Sequence, residues 1–362
     1  MKVAIVYDRV NKIGGAERVL ESLSELFKKP ILFTSIYNKK NTPWAEKFTV
    51  KTSYLQKIPF LNKRHELIPY LMPFAFESFD FSNFDLVISV TSEAAKGIIV
   101  PPTVPHVCIC LTPTRYLWSG YDQYFKDPVL KFLAYPLIWY LKKWDLASST
   151  RPDMFVAISK TVQKRILKYY KRESVVIYPP SDRLFSKKIR SRVKQDKKNY
   201  FLVVSRLVDY KKIDLAVKSC TKLKLNLIVI GEGNEFEKLS AIAGDTVEFK
   251  GKVTDEELLY YYRNCRALLF PGEEDFGITM VEVQLAGKPV VAYRAGGALE
   301  IVKEGVTGVF FNKQTVSSLS QVLINFKDSR YNGSDCRKNG RYFSEKKFKS
   351  SFMSLLKSNK YI

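Results

Sequence analysis

Two glutamates placed eight residues apart have the context of a ligand-binding pair. Glu274 and Glu282 belong to PGEEDFGITMVEVQLAGKPVV, residues 271–291. The pattern predicts a strand over residues 267–270, then an acidic loop, and then a helix over residues 278–286. A loop that joins the carboxyl end of a strand to a helix is where open α/β sheets bind ligands.

The residue types of this segment suit the parts of a nucleotide. Backbone N–H groups from Gly277 to Thr279 could hold a diphosphate at the helix N-terminus, and Glu282 could accept hydrogen bonds from ribose hydroxyls. Glu274, in the loop, would meet the other end of the ligand. The alternative is an acidic helix cap that favours the helix dipole. That alternative explains residues 273–275 but not Glu282.

A second candidate loop lies near the N-terminus. A predicted strand over residues 3–7 is followed by a loop and by Gly14-Gly15-Ala16-Glu17, which begins a helix. Paired glycines let a ligand approach backbone N–H groups closely. The segment is not a G-x-G-x-x-G fingerprint, so it does not favour a nicotinamide cofactor. A tight strand–helix turn without a ligand is the alternative.

These loops need a framework that brings strand ends together, and the apolar pattern predicts one. Short apolar runs alternate with helical patterns along the chain, as is typical of parallel strands buried on both faces. The predicted strands are 3–7, 31–34, 86–90, 107–110, 154–158, 175–177, 201–204, 225–230, 247–249, 267–270 and 290–292. The pattern therefore predicts an α/β fold with parallel sheets.

Length and composition predict two domains. The chain has 362 residues, which suits two domains of ordinary size. Pro179-Pro180 and the charged run KKIRSRVKQDKK read as a linker. We predict an N-terminal domain over 1–182, a linker over 183–198, a C-terminal domain over 199–340, and a terminal helix over 341–362 that could pack back on the N-terminal domain.

The charge balance and the cysteines narrow the class of protein. Lys and Arg number 59 against 36 Asp and Glu, a formal charge of +23. Such a charge favours anionic partners, whether nucleic acid, phosphorylated substrates or acidic lipid, or it reflects a Lys-rich proteome.

The five scattered cysteines form no C-x-x-C pair. This absence disfavours a structural zinc site or a disulfide framework, and it favours a reducing, cytoplasmic compartment. No apolar run approaches the ~20 residues of a membrane span.

Together these motifs resemble the retaining glycosyltransferases of family 4. The resemblance rests on the two glutamates around Phe276-Gly277, the AGKPVVA segment after them, the Gly14-Gly15 loop, SRLVDYKKID (205–214), VIGEGNE (229–235) and YRAGGALEIVKEGVTGVFF (293–311). It implies the GT-B fold, in which two Rossmann-like domains with parallel sheets face each other across a cleft that binds a nucleotide-sugar.

The resemblance also implies a role for each matching residue. Arg206 and Lys211 would bind the diphosphate, and two fixed cations there would stabilise the leaving group without a metal. Together with Glu274 they form the predicted catalytic set. The predicted donor-binding residues are Gly14, Gly15, Phe276, Gly277, Ile278, Thr279 and Glu282, with the two N-terminal glycines approaching the diphosphate from the other domain.

One position departs from the family pattern. The family usually places a histidine at the end of an N-terminal strand, near the C6 hydroxyl of the sugar, and VCICLTPTRYLW (107–118) has Leu111 there. The two histidines, His65 and His106, are interpreted as packing or surface residues. In the front-face mechanism that the family implies, a donor phosphate oxygen can deprotonate the acceptor. Leu111 at this position is therefore expected to affect the catalytic efficiency of the enzyme or the identity of its donor.

Within the family, TPTRYLWSGYDQYF (112–125), WDLASS and YPPSD look most like the mannosyltransferases of bacterial surface-polysaccharide (O-antigen) assembly. This likeness implies transfer of a hexose, mannose from GDP-mannose, to a lipid-linked or polysaccharide acceptor, with no cofactor or metal. Arg115 and Tyr116 would line the acceptor side, or else serve as a surface cation and a packed ring.

Two stretches, 54–76 and 125–144, interleave cations with aromatic residues, which suits an interfacial helix on anionic lipid. We therefore predict a cytoplasmic protein attached peripherally to an anionic membrane surface; a helix with one core face and one solvated face is the alternative. The candidate contacts are Phe125, Trp139 and Trp144 with Lys126, Lys131, Lys142 and Lys143. Core positions are the alternative for Trp139 and Trp144.

Three other functions remain open. A UDP-hexose enzyme of the same fold is one. A homologue that binds nucleotide or glycan without turnover is another: Leu111 favours it, and the intact Arg206, Lys211, Glu274 and Glu282 oppose it. A basic nucleic-acid-binding protein has only the charge in its favour, because no RNP, KH or zinc-finger pattern is present. We expect no nucleic-acid partner.

Overall fold

Two sheets of parallel strands organise the chain in the computed structural model, which describes residues 1–11, 14–58, 69–186 and 199–362. The chain divides into two compact units. The first contains Met1–Pro179 and Phe348–Ile362, and the second contains Pro180–Lys347. The α/β fold with parallel sheets, predicted from the apolar runs, is confirmed.

The described part of the first unit holds a seven-stranded sheet in the order β3-β2-β1-β4-β5-β6-β7. Every pairing in it is parallel. The strands are β1 (Val3–Tyr7), β2 (Ile31–Thr34), β3 (Thr49–Thr52), β4 (Leu86–Thr91), β5 (His106–Cys110), β6 (Met154–Ala157) and β7 (Val175–Val176). Every residue of β1, β4 and β5 is buried, as expected for a sheet covered on both faces.

The helices of this unit cover the sheet. They are α1 (Gly15–Leu26), α2 (Met72–Glu77), α3 (Tyr121–Tyr124), α4 (Pro128–Ser148) and α5 (Lys160–Tyr170). The aromatic centre of the core is formed by Phe33, Phe76 and Phe81. The rings of Phe33 and Phe81 lie 5.0 Å apart.

The second unit holds a six-stranded parallel sheet in the order β10-β9-β8-β11-β12-β13. Its strands are β8 (Phe201–Val204), β9 (Leu227–Ile230), β10 (Val247–Gly251), β11 (Leu268–Phe270), β12 (Val290–Tyr293) and β13 (Gly308–Phe311). Its helices are α6 (Arg183–Ser186), α7 (Ile213–Leu223), α8 (Phe236–Ala241), α9 (Asp255–Asn264), α10 (Ile278–Leu285), α11 (Ala298–Ile301), α12 (Val316–Ile324) and α13 (Gly333–Arg341). Helix α14 (Glu345–Ser358) begins here and ends in the first unit.

The limits of the units differ from the predicted ones by a few residues. The first unit ends at Pro179 rather than at 182, and the C-terminal return begins at Phe348 rather than at 341. Residues before 348 stay with the second unit because the ring of Phe343 packs against Phe276, with centroids 5.5 Å apart. Beyond that point Lys349 pairs with Glu25 of α1. Most of the predicted linker, residues 187–198, lies outside the described residues.

Two strands, β3 and β13, are not among those predicted from the apolar runs. β3 has the sequence TVKT with no fully buried residue, so it carries no apolar run. β13 has the sequence GVFF and follows a glycine-rich turn. None of the helices within the described ranges is both long and apolar enough to cross a bilayer.

Candidate functional site

The strand order of each sheet reverses at one point, and loops at the carboxyl ends of the strands meet there. In the second sheet the reversal lies between β8 and β11. Such a switch point is the usual ligand site of open α/β sheets. The predicted residues Arg206 and Lys211 follow β8, and Glu274 follows β11. The fold therefore brings these three residues to one edge of one sheet.

The closest contact among them is an ion pair between Lys211 and Glu274. The ammonium of Lys211 contacts Oε1 of Glu274, and the two side chains are 16% and 17% exposed. Arg206 is exposed, and its Nη2 donates a hydrogen bond to the hydroxyl of Tyr210 at 2.7 Å. Half-buried opposite charges attract more strongly than fully solvated ones. The pair holds a cation and a carboxylate in place at the edge of the sheet.

Two glycines let the loops of this edge touch through their backbones. A Cβ on Gly233, in the turn after β9, would lie 2.1 Å from the carbonyl oxygen of Leu207. A Cβ on Gly297, in the loop after β12, would lie 2.1 Å from the carbonyl oxygen of Phe276. Neither distance is possible for a larger residue. The motifs around Gly233 and Gly297 thus support the loops that carry Arg206 and Glu274.

Helix α10 starts directly after the acidic loop. Gly277 precedes its first residue in a left-handed conformation, and Ile278 and Thr279 lie half-buried in the first turn. Phe276 is 4% exposed and packs on Phe343. The side chain of Phe276 is therefore part of the core, and only its backbone is available to a ligand.

Glu282 is the buried carboxylate of this segment. It is 1% exposed on α10, and its Oε2 accepts a hydrogen bond from the hydroxyl of Tyr262 at 2.9 Å. Tyr262 lies on α9 and is fully buried. Neither Tyr262 nor Tyr210 is predictable as a partner of the site residues, because a tyrosine in LLYYYRN or in VDYKK carries no spacing signal.

The predicted glycines of the first unit lie at the corresponding edge of its sheet. Its strand order reverses between β1 and β4. Gly14 precedes α1, which begins at Gly15, in an extended conformation. Glu17 of the same motif is buried and accepts a hydrogen bond from the hydroxyl of Tyr7 at 2.9 Å. The last residue of the motif therefore serves the packing of the loop.

Tyr116 belongs to a half-buried polar chain at this edge. Its hydroxyl donates to Oε1 of Glu93 at 3.1 Å, and Arg9 pairs with the other oxygen of Glu93. Burial raises the pKa of the Glu93 carboxyl, and burial together with Glu93 raises the pKa of Tyr116 well above its usual value. Arg115, beside it, is half-buried. The structure thus gives Tyr116 a fixed packing position, while an acceptor role for Arg115 and Tyr116 stays a prediction.

A fully buried ion pair, in the first unit, anchors the loop after β5. Lys96 and Asp145 of α4 have side chains 1% and 2% exposed and lie 2.5 Å apart. Asp145 also accepts hydrogen bonds from Thr114 Oγ1 at 2.9 Å and from Trp118 Nε1 at 2.7 Å. Breaking such a buried pair from one side leaves an uncompensated charge. Asp145 therefore connects α4 to the loop that contains Arg115 and Tyr116.

The histidine position of the family pattern is filled by a half-buried leucine. Leu111 directly follows β5, and its backbone N–H donates to the carbonyl of Thr91 at 2.8 Å. His106, at the start of β5, is buried with Nε2 2.8 Å from Ser89 Oγ. Burial, with a smaller contribution from Arg151, lowers the pKa of His106 to about 3. His106 is therefore a neutral core side chain. His65 lies outside the described residues.

Helix α4 exposes an apolar face. Ile138, Leu141, Asp145 and Ser148 face the protein, whereas the opposite face carries large exposed side chains. The most exposed are Val129 at 67%, Phe132 at 79%, Leu133 at 70%, Tyr135 at 61% and Trp139 at 55%.

The aromatic residues predicted to contact lipid divide between this face and the core. Trp139 is exposed, as expected. Trp144 is half-buried and donates to Glu77 Oε1 at 2.7 Å, and Phe125 is half-buried against the cluster around Leu117. Trp144 therefore fits the core alternative, and Phe125 is less accessible than Trp139; lipid contact by these residues stays a prediction. Phe132 and Leu133 are exposed as well.

Comparison with solved structures identifies the fold. The structure of Anabaena Alr3699/HepE in complex with UDP-glucose superposes with a TM-score of 0.70 at 18% identity, over 99% of this chain and 100% of that one. Sucrose-phosphate synthase from Thermosynechococcus elongatus gives 0.71 at 16% identity, over 99% of both chains. The chain therefore has the two-domain α/β fold of the GT-B glycosyltransferase structures.

Sequence comparison finds glycosyltransferase relatives, and the family match lies in the second unit. Residues 185–343 match the family model of glycosyl transferases group 1. An uncharacterised glycosyltransferase of Methanocaldococcus jannaschii is 26% identical over 55% of this chain and 56% of its own length. A GDP-mannose-dependent alpha-mannosyltransferase of Corynebacterium glutamicum is 29% identical over 35% of this chain and 32% of its own length. The matches thus span about half of these relatives or less.

Proposed function

We propose that the protein is a retaining glycosyltransferase that moves a hexose from a nucleotide-sugar to a lipid-linked or polysaccharide acceptor. The observation that carries this proposal is the placement of Arg206, Lys211 and Glu274 at the switch point of the second sheet, with Glu282 on the helix that follows. The match of residues 185–343 to glycosyl transferases group 1 supports it.

The side chains of this edge suit the three parts of the donor. Arg206 and Lys211 supply positive charge for the diphosphate. The backbone from Phe276 to Thr279, at the start of an eight-residue helix, offers N–H groups to an anion. Glu282 accepts hydrogen bonds from the ribose hydroxyls, and Glu274 binds the hexose that is transferred.

The proposed reaction replaces one bond to the anomeric carbon by another on the same face. The bond from that carbon to the phosphate oxygen breaks, the acceptor oxygen forms its bond, and the acceptor proton moves to the phosphate oxygen that leaves. Negative charge develops on the diphosphate in the transition state, and preorganised cations lower its energy. Arg206 and Lys211 act at this step, and the reaction needs no metal.

Two donors are supported by different observations. The GDP-mannose-dependent relative from Corynebacterium favours GDP-mannose, which is the donor that we propose. The Anabaena structure that contains UDP-glucose favours a UDP-hexose. A homologue that binds nucleotide or glycan without turnover is the third possibility.

The exposed face of α4 supports attachment to an anionic membrane surface. Phe132, Leu133 and Trp139 provide the apolar contact, and Lys126 and Lys143 are exposed near them. Apolar burial at the interface and about 1 kcal/mol per basic residue near anionic lipid act together. The net charge of +23 has the sign that such a surface attracts. A lipid-linked acceptor would lie at the same surface.

A donor panel tests the proposed function. Purified protein is heated with GDP-mannose, UDP-glucose, GDP or UDP, and release of nucleoside diphosphate is then followed with lipid-linked acceptors. The matching donor should raise the melting midpoint and release its nucleotide. Binding without release would support the non-catalytic alternative. No shift with any of these nucleotides, together with salt-dependent binding to duplex DNA, would overturn the proposal.

A further inference from the structure

We infer that Tyr262 positions the Glu282 carboxylate and thereby sets how strongly the site distinguishes a ribose from a deoxyribose nucleotide. This inference rests on the proposed function. It adds to the donor site a residue that never touches the ligand.

A hydrogen bond between two buried side chains connects two neighbouring helices. Tyr262 lies on α9 and Glu282 on α10, and the Tyr262 hydroxyl donates to Oε2 of Glu282 at 2.9 Å. Both residues are at most 1% exposed. A hydrogen bond to an ionised carboxylate is short and strong compared with one between neutral groups. Because solvent does not reach it, the bond is not exchanged for water.

Holding one oxygen fixes the direction of the other. A glutamate carboxylate rotates broadly about its last bond when nothing holds it. The Tyr262 hydroxyl restricts this rotation, so that Oε1 keeps one orientation. Recognition of two ribose hydroxyls requires a carboxylate whose acceptor positions are fixed, since alignment decides the strength of each hydrogen bond.

The surroundings of Glu282 make a positioning partner necessary. Glu282 is 1% exposed, so water hardly solvates its carboxylate. A buried charged group is costly unless it is hydrogen-bonded. Tyr262 offsets part of this cost in the absence of ligand, which keeps the carboxylate in place for a nucleotide.

The test compares two tyrosine variants that lose the same atom. Tyr262→Phe removes only the hydroxyl that contacts Glu282. Tyr200→Phe is the matched control, because the Tyr200 hydroxyl donates to the carbonyl of Tyr261 at 3.0 Å in the same unit and does not contact Glu282. Tyr200 is also buried, so that general effects on stability are matched.

Binding is measured by calorimetry with GDP and with 2′,3′-dideoxy-GDP, and likewise with the two uridine nucleotides. Loss of the ribose contacts should weaken wild-type binding about tenfold to hundredfold. We expect Tyr262→Phe to reduce this ratio about threefold to tenfold, and Tyr200→Phe to leave it unchanged. Glu282→Ala should bring the ratio close to one, and adding Tyr262→Phe to that variant should change nothing further.

Each other outcome has a distinct meaning. An unchanged ratio in Tyr262→Phe, with a loss of stability like that of Tyr200→Phe, overturns the inference and leaves the donor site intact. A wild-type ratio near one with tight nucleotide binding overturns it as well, because Glu282 then does not contact the ribose. A wild-type protein that binds none of the four nucleotides overturns the proposed function.

Discussion

Lys211 and Glu274 form an ion pair that joins the loop after β8 to the loop after β11. In the proposed donor complex the diphosphate and Glu274 compete for the same ammonium group. The pair therefore keeps Lys211 in place before the donor binds, and it also weakens the affinity of Lys211 for a free nucleotide. Removing the charge of Lys211 and removing the charge of Glu274 should therefore have opposite effects on nucleotide affinity.

Lys211→Ala should weaken binding of the matching nucleoside diphosphate about tenfold to hundredfold, since loss of a charged hydrogen bond costs about 1.5–3 kcal/mol. Glu274→Gln should leave that affinity unchanged or increase it, while hexose transfer falls. Lys212→Ala is the control, because its partner is Asp209 at 3.2 Å. Calorimetry measures both effects. The assignment fails if Glu274→Gln weakens nucleotide binding as much as Lys211→Ala does.

Leu111→His restores the imidazole of the family pattern. Leu111 is only half-buried at the end of β5, so the larger polar ring should be accommodated. We expect turnover equal to or faster than wild type with an unchanged melting midpoint. A collapsed protein in circular dichroism would show instead that Leu111 is a core residue.

Stability should fall in mild acid because of His106. Its pKa in the folded protein is about 3, and about 6.5 in an unfolded chain. Between these values the unfolded state binds a proton that the folded state does not, so the free energy of unfolding decreases as the pH falls from about 6.5 towards 3. In urea titrations His106→Gln should show a flatter pH dependence than wild type. Equal slopes for the two proteins would contradict this account.

Attachment to anionic vesicles should depend on the exposed face of α4. Wild-type protein should sediment with anionic vesicles, bind neutral ones little, and dissociate at high salt. Two double variants test this face. One carries Phe132→Ser and Leu133→Ser, and the other carries Lys126→Glu and Lys143→Glu. Both should sediment less with anionic vesicles and still hydrolyse the soluble donor. The control variant carries Lys222→Glu and Lys224→Glu at exposed sites of the second unit. It changes the net charge by the same amount as the lysine variant of α4 and should bind vesicles as wild type does. Equal binding to anionic and neutral vesicles would show that electrostatic attraction does not contribute to membrane attachment.

Chelation should leave activity intact. The proposed mechanism stabilises the leaving diphosphate with Arg206 and Lys211, so EDTA should not change the initial rate of nucleotide release. Restoration of a lost rate by Mg²⁺ or Mn²⁺ alone would show that a metal takes part.

The sequence predicts the parallel sheets because their strands are buried on both faces and carry continuous apolar runs. β3 escapes this signal because its residues alternate at the edge of the sheet. The loop residues Arg206, Lys211 and Glu274 can be placed at one sheet edge by the strand–loop–helix pattern alone. The partners of the charged groups, such as Tyr262 for Glu282 and Asp145 for Lys96, cannot be read in this way, because they come from distant helices through tertiary packing. Trp144 illustrates the same limit, since only packing distinguishes it from the exposed Trp139.

The backbone contacts at Gly233 and Gly297 have a consequence for changing the donor of this protein. The loops after β8 and β9 touch main chain to main chain, and so do the loops after β11 and β12. Each pair behaves as one mechanical unit, and an insertion in one loop displaces its partner. Transplanting a single loop from a relative should therefore fail, whereas exchanging both loops of a pair together should succeed. Within the existing unit, new specificity has to come from side chains at its rim.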